Sequence, residues 1–157
     1  MRAGGPEGVT LGGGTFCELG SQVLLVRDEV FVRGMGVPLD IEHDNRDPHC
    51  FHVLVRVDGR PAATGRLDFE LGGKVGRVAV LAGFRGRNLG TSVMDRLEEE
   101  ARSRGLDRLW CHAQITAAGF YTRLGWAAVG REFTEAGIRH VRMEKPLQAI
   151  LDGGASG

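Results

Sequence analysis

The chain predicts an α/β (α+β) fold, a mixed and mostly antiparallel central sheet flanked by helices. Three observations carry that expectation. Two alternating apolar runs at residues 51–57 and 61–69 flank Asp58-Gly59, a hairpin signature. Residues 74–91, KVGRVAVLAGFRGRNLGT, pass from a β-branched strand pattern through a glycine-punctuated loop into a helix. Two further strand-like runs, 127–134 and 138–145, follow a short helix near the end of the chain.

The elements are taken in order. Residues 4–14 are glycine-rich with few apolar side chains, and residues 153–157 are similar. Both are expected to be flexible tails, because neither buries enough surface to offset its ordering entropy. The expected layout is therefore a tail at 1–14, one domain at 15–147 and a second tail at 148–157. Ser21 is a candidate cap for a helix whose Val23, Leu24, Arg27, Val30 and Phe31 form a partial apolar face, broken by Gly34 and Gly36. Asp40, Glu42, His43, Asp44 and Asp47 fall in an acidic loop at 37–48. Gly72-Gly73 turns the chain from the hairpin into the strand at 74–81. From Gly90, Val93, Met94, Leu97 and Ala101 repeat at helical spacing, with Glu98–Arg102 and Glu100–Arg104 pairs, until Gly105. Residues 108–114 are strand-like, Thr116 caps a short helix to about Leu124, and Gly125 ends it. The order is β-α-β-β-β-α-β-α-β-β.

Composition sets outer limits. A chain of 157 residues with 42% hydrophobics is long enough for one cored domain, and it has no apolar run long enough to span a membrane. Twenty acidic residues balance twenty basic ones, so no global field attracts nucleic acid or anionic lipid. Eighteen of the bases are arginine and two are lysine, which supplies planar, bidentate phosphate donors. Cys17, Cys50 and Cys111 are odd in number and lack metal-type spacing. Together with the absence of an apolar signal core at the N-terminus, they are expected to be free thiols in a reducing cytoplasm. His49-Cys50-Phe51-His52 has poor ligand geometry, because a strand begins between the histidines, so no metal is expected.

The chemistry begins at the glycine loop. Unpaired N–H groups and the dipole at the N-terminus of a helix favour phosphate, and Arg85 and Arg87 add charge at the same place. The loop has neither Gly-Lys-Ser/Thr for a nucleoside triphosphate nor Gly-x-Gly-x-x-Gly for a dinucleotide. Taken alone, it is equally a plain turn in a glycine-rich chain. Residues 114–126, QITAAGFYTRLGW, shift the balance by placing Tyr121, the only tyrosine, on a short helix directly after a strand.

With both segments, the chain resembles the GNAT superfamily of acyl-CoA-dependent N-acyltransferases. The family's loop pattern, Arg/Gln-x-x-Gly-x-Gly/Ala, is similar to Arg85-Gly86-Arg87-Asn88-Leu89-Gly90, with Asn88 where glycine is usual. Asparagine is the non-glycine residue most tolerant of a left-handed backbone. The pattern Asn-x-x-Ala-x-x-Phe-Tyr-x-x-x-Gly-Phe is similar to residues 114–126, with Gln114 in place of asparagine. Residues 132–143, EFTEAGIRHVRM, and the early 30–32 and 37–39 segments resemble the ElaA/YjcF-like branch. The resemblance spans residues 21–147 and implies a GNAT-like fold with acetyl-CoA as co-substrate.

The resemblance also implies roles. Val78 and Val80 would line the cofactor, with the Val80 N–H meeting the acyl carbonyl as an oxyanion donor. Arg85, Gly86, Arg87, Asn88, Leu89, Gly90 and Thr91 would cradle the pyrophosphate, and Gln114 and Ala117 would complete the cofactor site. Tyr121 would protonate the departing thiolate. Glu132, Glu135 and His140 are the candidates for the base that takes the amine's proton. His140 has a suited unperturbed pKa, and Glu135 could instead bind the substrate's ammonium group. Glu70, Glu42 and His43 are expected to be surface charges, and His112 a satisfied, partly buried histidine. The implied reaction is direct acetyl transfer to a primary amine on a small molecule or peptide, without a covalent acyl-cysteine. The alternative is a non-catalytic acyl-CoA sensor or interaction module on the same fold. A homodimer is compatible with the pattern.

Overall fold

The computed structural model describes residues 8–148, so the expected tail at 153–157 lies outside the described residues. The chain divides into two compact units, Met1–Leu97 and Glu98–Gly157. The first holds β1 (Val9–Gly14), α1 (Phe16–Arg27), a π-helical turn (Asp28–Gly34), α2 (Leu39–Glu42), β2 (Cys50–Val57), β3 (Arg60–Asp68) and β4 (Lys74–Val80). A 3-10 turn (Ala82–Phe84) and the start of α3 (Leu89–Ser103) follow.

Strands β1 to β4 form an antiparallel meander. Asp58 (φ +50°) and Gly59 (φ +81°) make the expected tight turn between β2 and β3. Helix α1 crosses β2, β3 and β4. Its fully buried Val23 and Val26 meet Leu54 and Ala79, and Leu19, Val30, Phe31 and Leu81 close around them. This core holds β4 under α1 and so fixes where its C-terminal end emerges.

Two local expectations are corrected here. Residues 9–14 are an edge strand and no tail, since Val9 to Gly14 pair with Val57 to His52. Ladder hydrogen bonds replace the missing side-chain burial. A Cβ at Gly13 would collide with the Phe51 ring, so this glycine allows close approach. The cap of α1 is Thr15, in place of Ser21. The Thr15 hydroxyl accepts from the Glu18 N–H (3.2 Å), and the Glu18 carboxylate accepts from the Thr15 N–H (2.8 Å). The expected glycine break does occur, with helical backbone ending at Gly34 and Gly36 at φ +73°.

The second unit continues α3 and adds β5 (Arg108–Gln114), a 3-10 turn (Ile115–Ala117), α4 (Ala118–Arg123), β6 (Ala127–Glu135) and β7 (Ile138–Pro146). Its strands run antiparallel in the order β5-β7-β6. Gly105 (φ +84°) and Gly125 (φ +92°) end α3 and α4 as expected. Thr116 does not cap α4. The N-cap is Ala117, and the preceding 3-10 turn leads into the helix with no side-chain cap. Leu109, Cys111, Ala113, Trp126, Val141 and Met143 form the buried side of this unit. Among the described residues, no helix is long and apolar enough to cross a membrane.

Candidate active site

The expected phosphate loop is built as strand, turn and helix start. β4 ends at Val80, the 3-10 turn follows, and Arg85 to Asn88 lead exposed into α3 at the buried Leu89. Gly86 (φ +81°) and Asn88 (φ +61°) are both left-handed, so Asn88 adopts the conformation that glycine would supply there. Space around Gly86 is open, with no atom within 4 Å of an added Cβ. Thr91 and Gly90 lie half-buried in the first turn of α3. Exposed N–H groups at a helix start, with two arginines alongside, fit a pyrophosphate.

Both arginines of the loop have partners close by. Arg85 Nε donates to the Val80 carbonyl (3.2 Å), and the Arg87 guanidinium lies 5.4 Å from the centre of the Phe84 ring. The Leu81 N–H donates to the Ala62 carbonyl, whereas Val80 stands opposite Ala63. Hydrogen-bonded and non-hydrogen-bonded pairs alternate along antiparallel strands, so the Val80 N–H turns away from β3. Val78 sits two residues earlier, half-buried.

Behind this strand, the acidic loop is no solvated face. Arg27 has no exposed surface and meets both Glu42 oxygens (2.9 Å each) and Asp47 (2.6 Å). Arg66 bonds Asp44 and Asp47, and Arg46 bonds Asp68 and Glu70. Glu42, expected at the surface, is 1% exposed, because burying Arg27 requires a carboxylate beside it. His43 pairs with Asp28, and Glu70 is exposed as expected. Burial alone would raise the Asp44 and Asp47 carboxyls, but neighbouring guanidiniums (Arg66 for Asp44, Arg27 for Asp47) hold both below the usual carboxylate range. Asp28, Glu42 and His43 bring three possible metal ligands within 4.8 Å, yet guanidiniums already occupy Glu42. The His49/His52 pair is split, with His49 exposed on Glu70 and the buried His52 bonded to the Asp47 carbonyl.

In the second unit, α4 places Tyr121 in a buried pocket against Trp126, ring centres 5.3 Å apart. Burial, reinforced by Cys111, pushes the Tyr121 phenol up, so it stays protonated at neutral pH. Gln114 ends β5 opposite His140 of β7, and Ala117 caps α4. Glu135 and His140 do come together: His140 Nε2 is 4.0 Å from Glu135 Oε2. The His140 Nδ1–H donates to the Ile138 carbonyl (2.7 Å), which assigns the Nε2 lone pair in the neutral ring. Glu132 stands apart, paired with Arg139 (2.7 Å).

His112 joins this group. Its Nδ1 lies 3.1 Å from Glu135 Oε1, and Phe133 packs between His112 (4.8 Å) and His140 (5.9 Å). The signal was the strand alternation of β5: Cys111 faces the core, so His112 must face the other way.

A family model described as Acetyltransferase (GNAT) domain matches residues 19–147, across both units. The chain belongs to the GNAT acetyltransferase family. As a member it is an acyltransferase enzyme. The uncharacterized N-acetyltransferase YjcF of Bacillus subtilis (strain 168) is 34% identical over 122 residues, covering 76% of this chain and 87% of that protein. The crystal structure of an acyl-CoA N-acyltransferase from Pseudomonas aeruginosa is similar at TM-score 0.78 and 28% identity, over 87% of this chain and 99% of that one. Escherichia coli ElaA shares the fold at TM-score 0.79 and 24% identity, over 87% and 99%. The α+β fold class and the branch resemblance both stand.

Proposed function

We propose that this GNAT enzyme moves an acetyl group from acetyl-CoA to a primary amine by direct attack in a ternary complex. The observation that carries the reading is the end of β4: a backbone N–H turned away from β3, directly before an open, left-handed, arginine-flanked helix start. Acetyl-CoA would supply an activated thioester carbonyl. The N–H groups of residues 85–91 would hold its pyrophosphate, Arg85 and Arg87 swinging from Val80 and Phe84 to assist. Gln114 and Ala117 would border the pantetheine.

Val80 N–H would stabilise the oxyanion formed when the amine attacks, an interaction worth ~3 kcal/mol where one such donor is removed. His140 Nε2 would take the amine's proton, with the Glu135 carboxylate 4.0 Å from that nitrogen. Tyr121 would then pass its phenolic proton to the departing thiolate. Three free cysteines fit a cytoplasmic enzyme that needs no covalent acyl-cysteine.

Thiol release from acetyl-CoA across a panel of small-molecule and peptide amines tests this. Release that depends on the amine supports it; coenzyme A binding without turnover on every amine would favour a sensor.

A further inference from the structure

Between the pairs Thr64↔Ala79 and Arg66↔Gly76, β3 has one residue, Gly65, and β4 has two, Arg77 and Val78. β4 therefore carries a bulge at that point. Arg77 sits there at φ +52°, a conformation that a bulky side chain keeps only when its surroundings over-determine it.

The surroundings do so from both sides. The Arg77 guanidinium places Nε 3.0 Å from Glu42 Oε2, and Nη2 3.0 Å from the Glu42 carbonyl and 3.2 Å from Asp44 Oδ2. Glu42 cannot drift, because buried Arg27 grips both its carboxylate oxygens. On the opposing strand, a Cβ at Gly65 would lie 2.6 Å from Val93, 3.2 Å from Leu97 and 3.4 Å from Val78. Glycine thus makes room for the second bulge residue and for α3.

The extra residue has a chemical consequence. N–H direction alternates along a strand, so a shift of one residue exchanges the roles of neighbours. With the bulge, Ala79 turns into the core beneath α1, and Val80 points its N–H away from β3. Without it, the two would exchange places, and the N–H assigned to the acyl carbonyl would be spent on the β3 ladder.

We propose that Glu42, Asp44 and Arg77 form a strut that holds the β4 bulge and thereby aims the Val80 N–H and the loop beyond it. Arg77 is a positioning residue, and the acidic loop is a brace for β4. The inference rests on the acyl-CoA reading of that loop.

Two measurements on the full-length chain test it in Arg77→Met, Glu42→Gln and Asp44→Asn: acetyl-CoA affinity by calorimetry without amine, and amide exchange at residues 78–80. The expected result is a dissociation constant raised about tenfold, with exchange at Ala79, which pairs with Thr64, faster by a similar factor, in variants that retain native circular dichroism. Asp44→Asn, on the more exposed arm, carries the test if Glu42→Gln fails to fold. Unchanged exchange in the folded variants overturns the strut, as does exchange that changes while acetyl-CoA affinity does not. A wild-type chain that binds no coenzyme A would remove the cofactor reading, while the exchange data would still decide whether the strut holds the bulge.

Discussion

Arg27, Glu42 and Asp47 in the first unit are buried and mutually saturated, whereas His112, Glu135 and His140 in the second share one half-exposed carboxylate. Each Arg27 contact in the first cluster is a short, charge-assisted bond. In the second, His140 Nε2 stands 4.0 Å from its nearest carboxylate oxygen, too far for a hydrogen bond. A buried network whose members are all satisfied resists change, and losing one partner leaves a stranded charge. The buried His140 is left with an Nε2 that no carboxylate of its own cluster reaches at hydrogen-bond distance. The contrast is between charges that consume one another at short distance and a histidine with no short partner in its own cluster.

Breaking the saturated side gives the largest expected effect. Arg27→Met removes the buried cation shared by Glu42 and Asp47, leaving them Arg77 and Arg66 alone, and should cost about 3–5 kcal/mol in urea unfolding. A loss below ~1 kcal/mol would show the cluster to be ordinary surface pairing. Next in size, Tyr121→Phe should lower kcat by about a hundredfold with little change in KM for acetyl-CoA. An unchanged kcat would end the proton-donor role. Gly86→Asp puts a Cβ at φ +81° and a negative charge into the phosphate loop. It should weaken coenzyme A binding by at least about tenfold, roughly 1.4 kcal/mol, and wild-type affinity in calorimetry would take the loop out of the site.

The pH response separates the clusters further. Asp44, Asp47 and Asp68 titrate below their ordinary range in the folded chain, since arginines outweigh the burial that would raise them. Depressed folded values mean that their stabilisation is present above the unfolded value of about pH 4 and is lost as pH falls through the folded values. His52 is pushed down by burial and so adds a loss once pH falls below about 6.5. Melting temperature should therefore decline from pH 7 towards pH 3, and a flat profile would contradict the coupling. The smallest effect belongs to the open cluster. Glu135→Gln should change stability by less than ~0.5 kcal/mol while lowering activity, and a large loss of stability would make Glu135 structural.

Most strands and the loop were legible because period-two alternation and glycine punctuation are local signals, as at Cys50–Val57 and Gly86. β1 was missed because its glycines read as a tail, and only the Phe51 ring across the ladder explains Gly13. The Thr15 capping box was legible but lay next to that run. Glu42 was misjudged because its partners Arg27 and Arg77 are 15 and 35 residues away in sequence, a separation that no local pattern encodes. His112 was placed on its strand correctly, but its neighbours Glu135 and Phe133 arrive through the β7 pairing.

Amine-dependent thiol release measured side by side in wild type and Tyr121→Phe, with coenzyme A binding followed in both, tests the central claim most directly. The expected result is equal binding, turnover in the wild type with at least one primary amine, and a kcat about a hundredfold lower in the variant. Binding without turnover on every amine, or equal kcat in the two proteins, would contradict it.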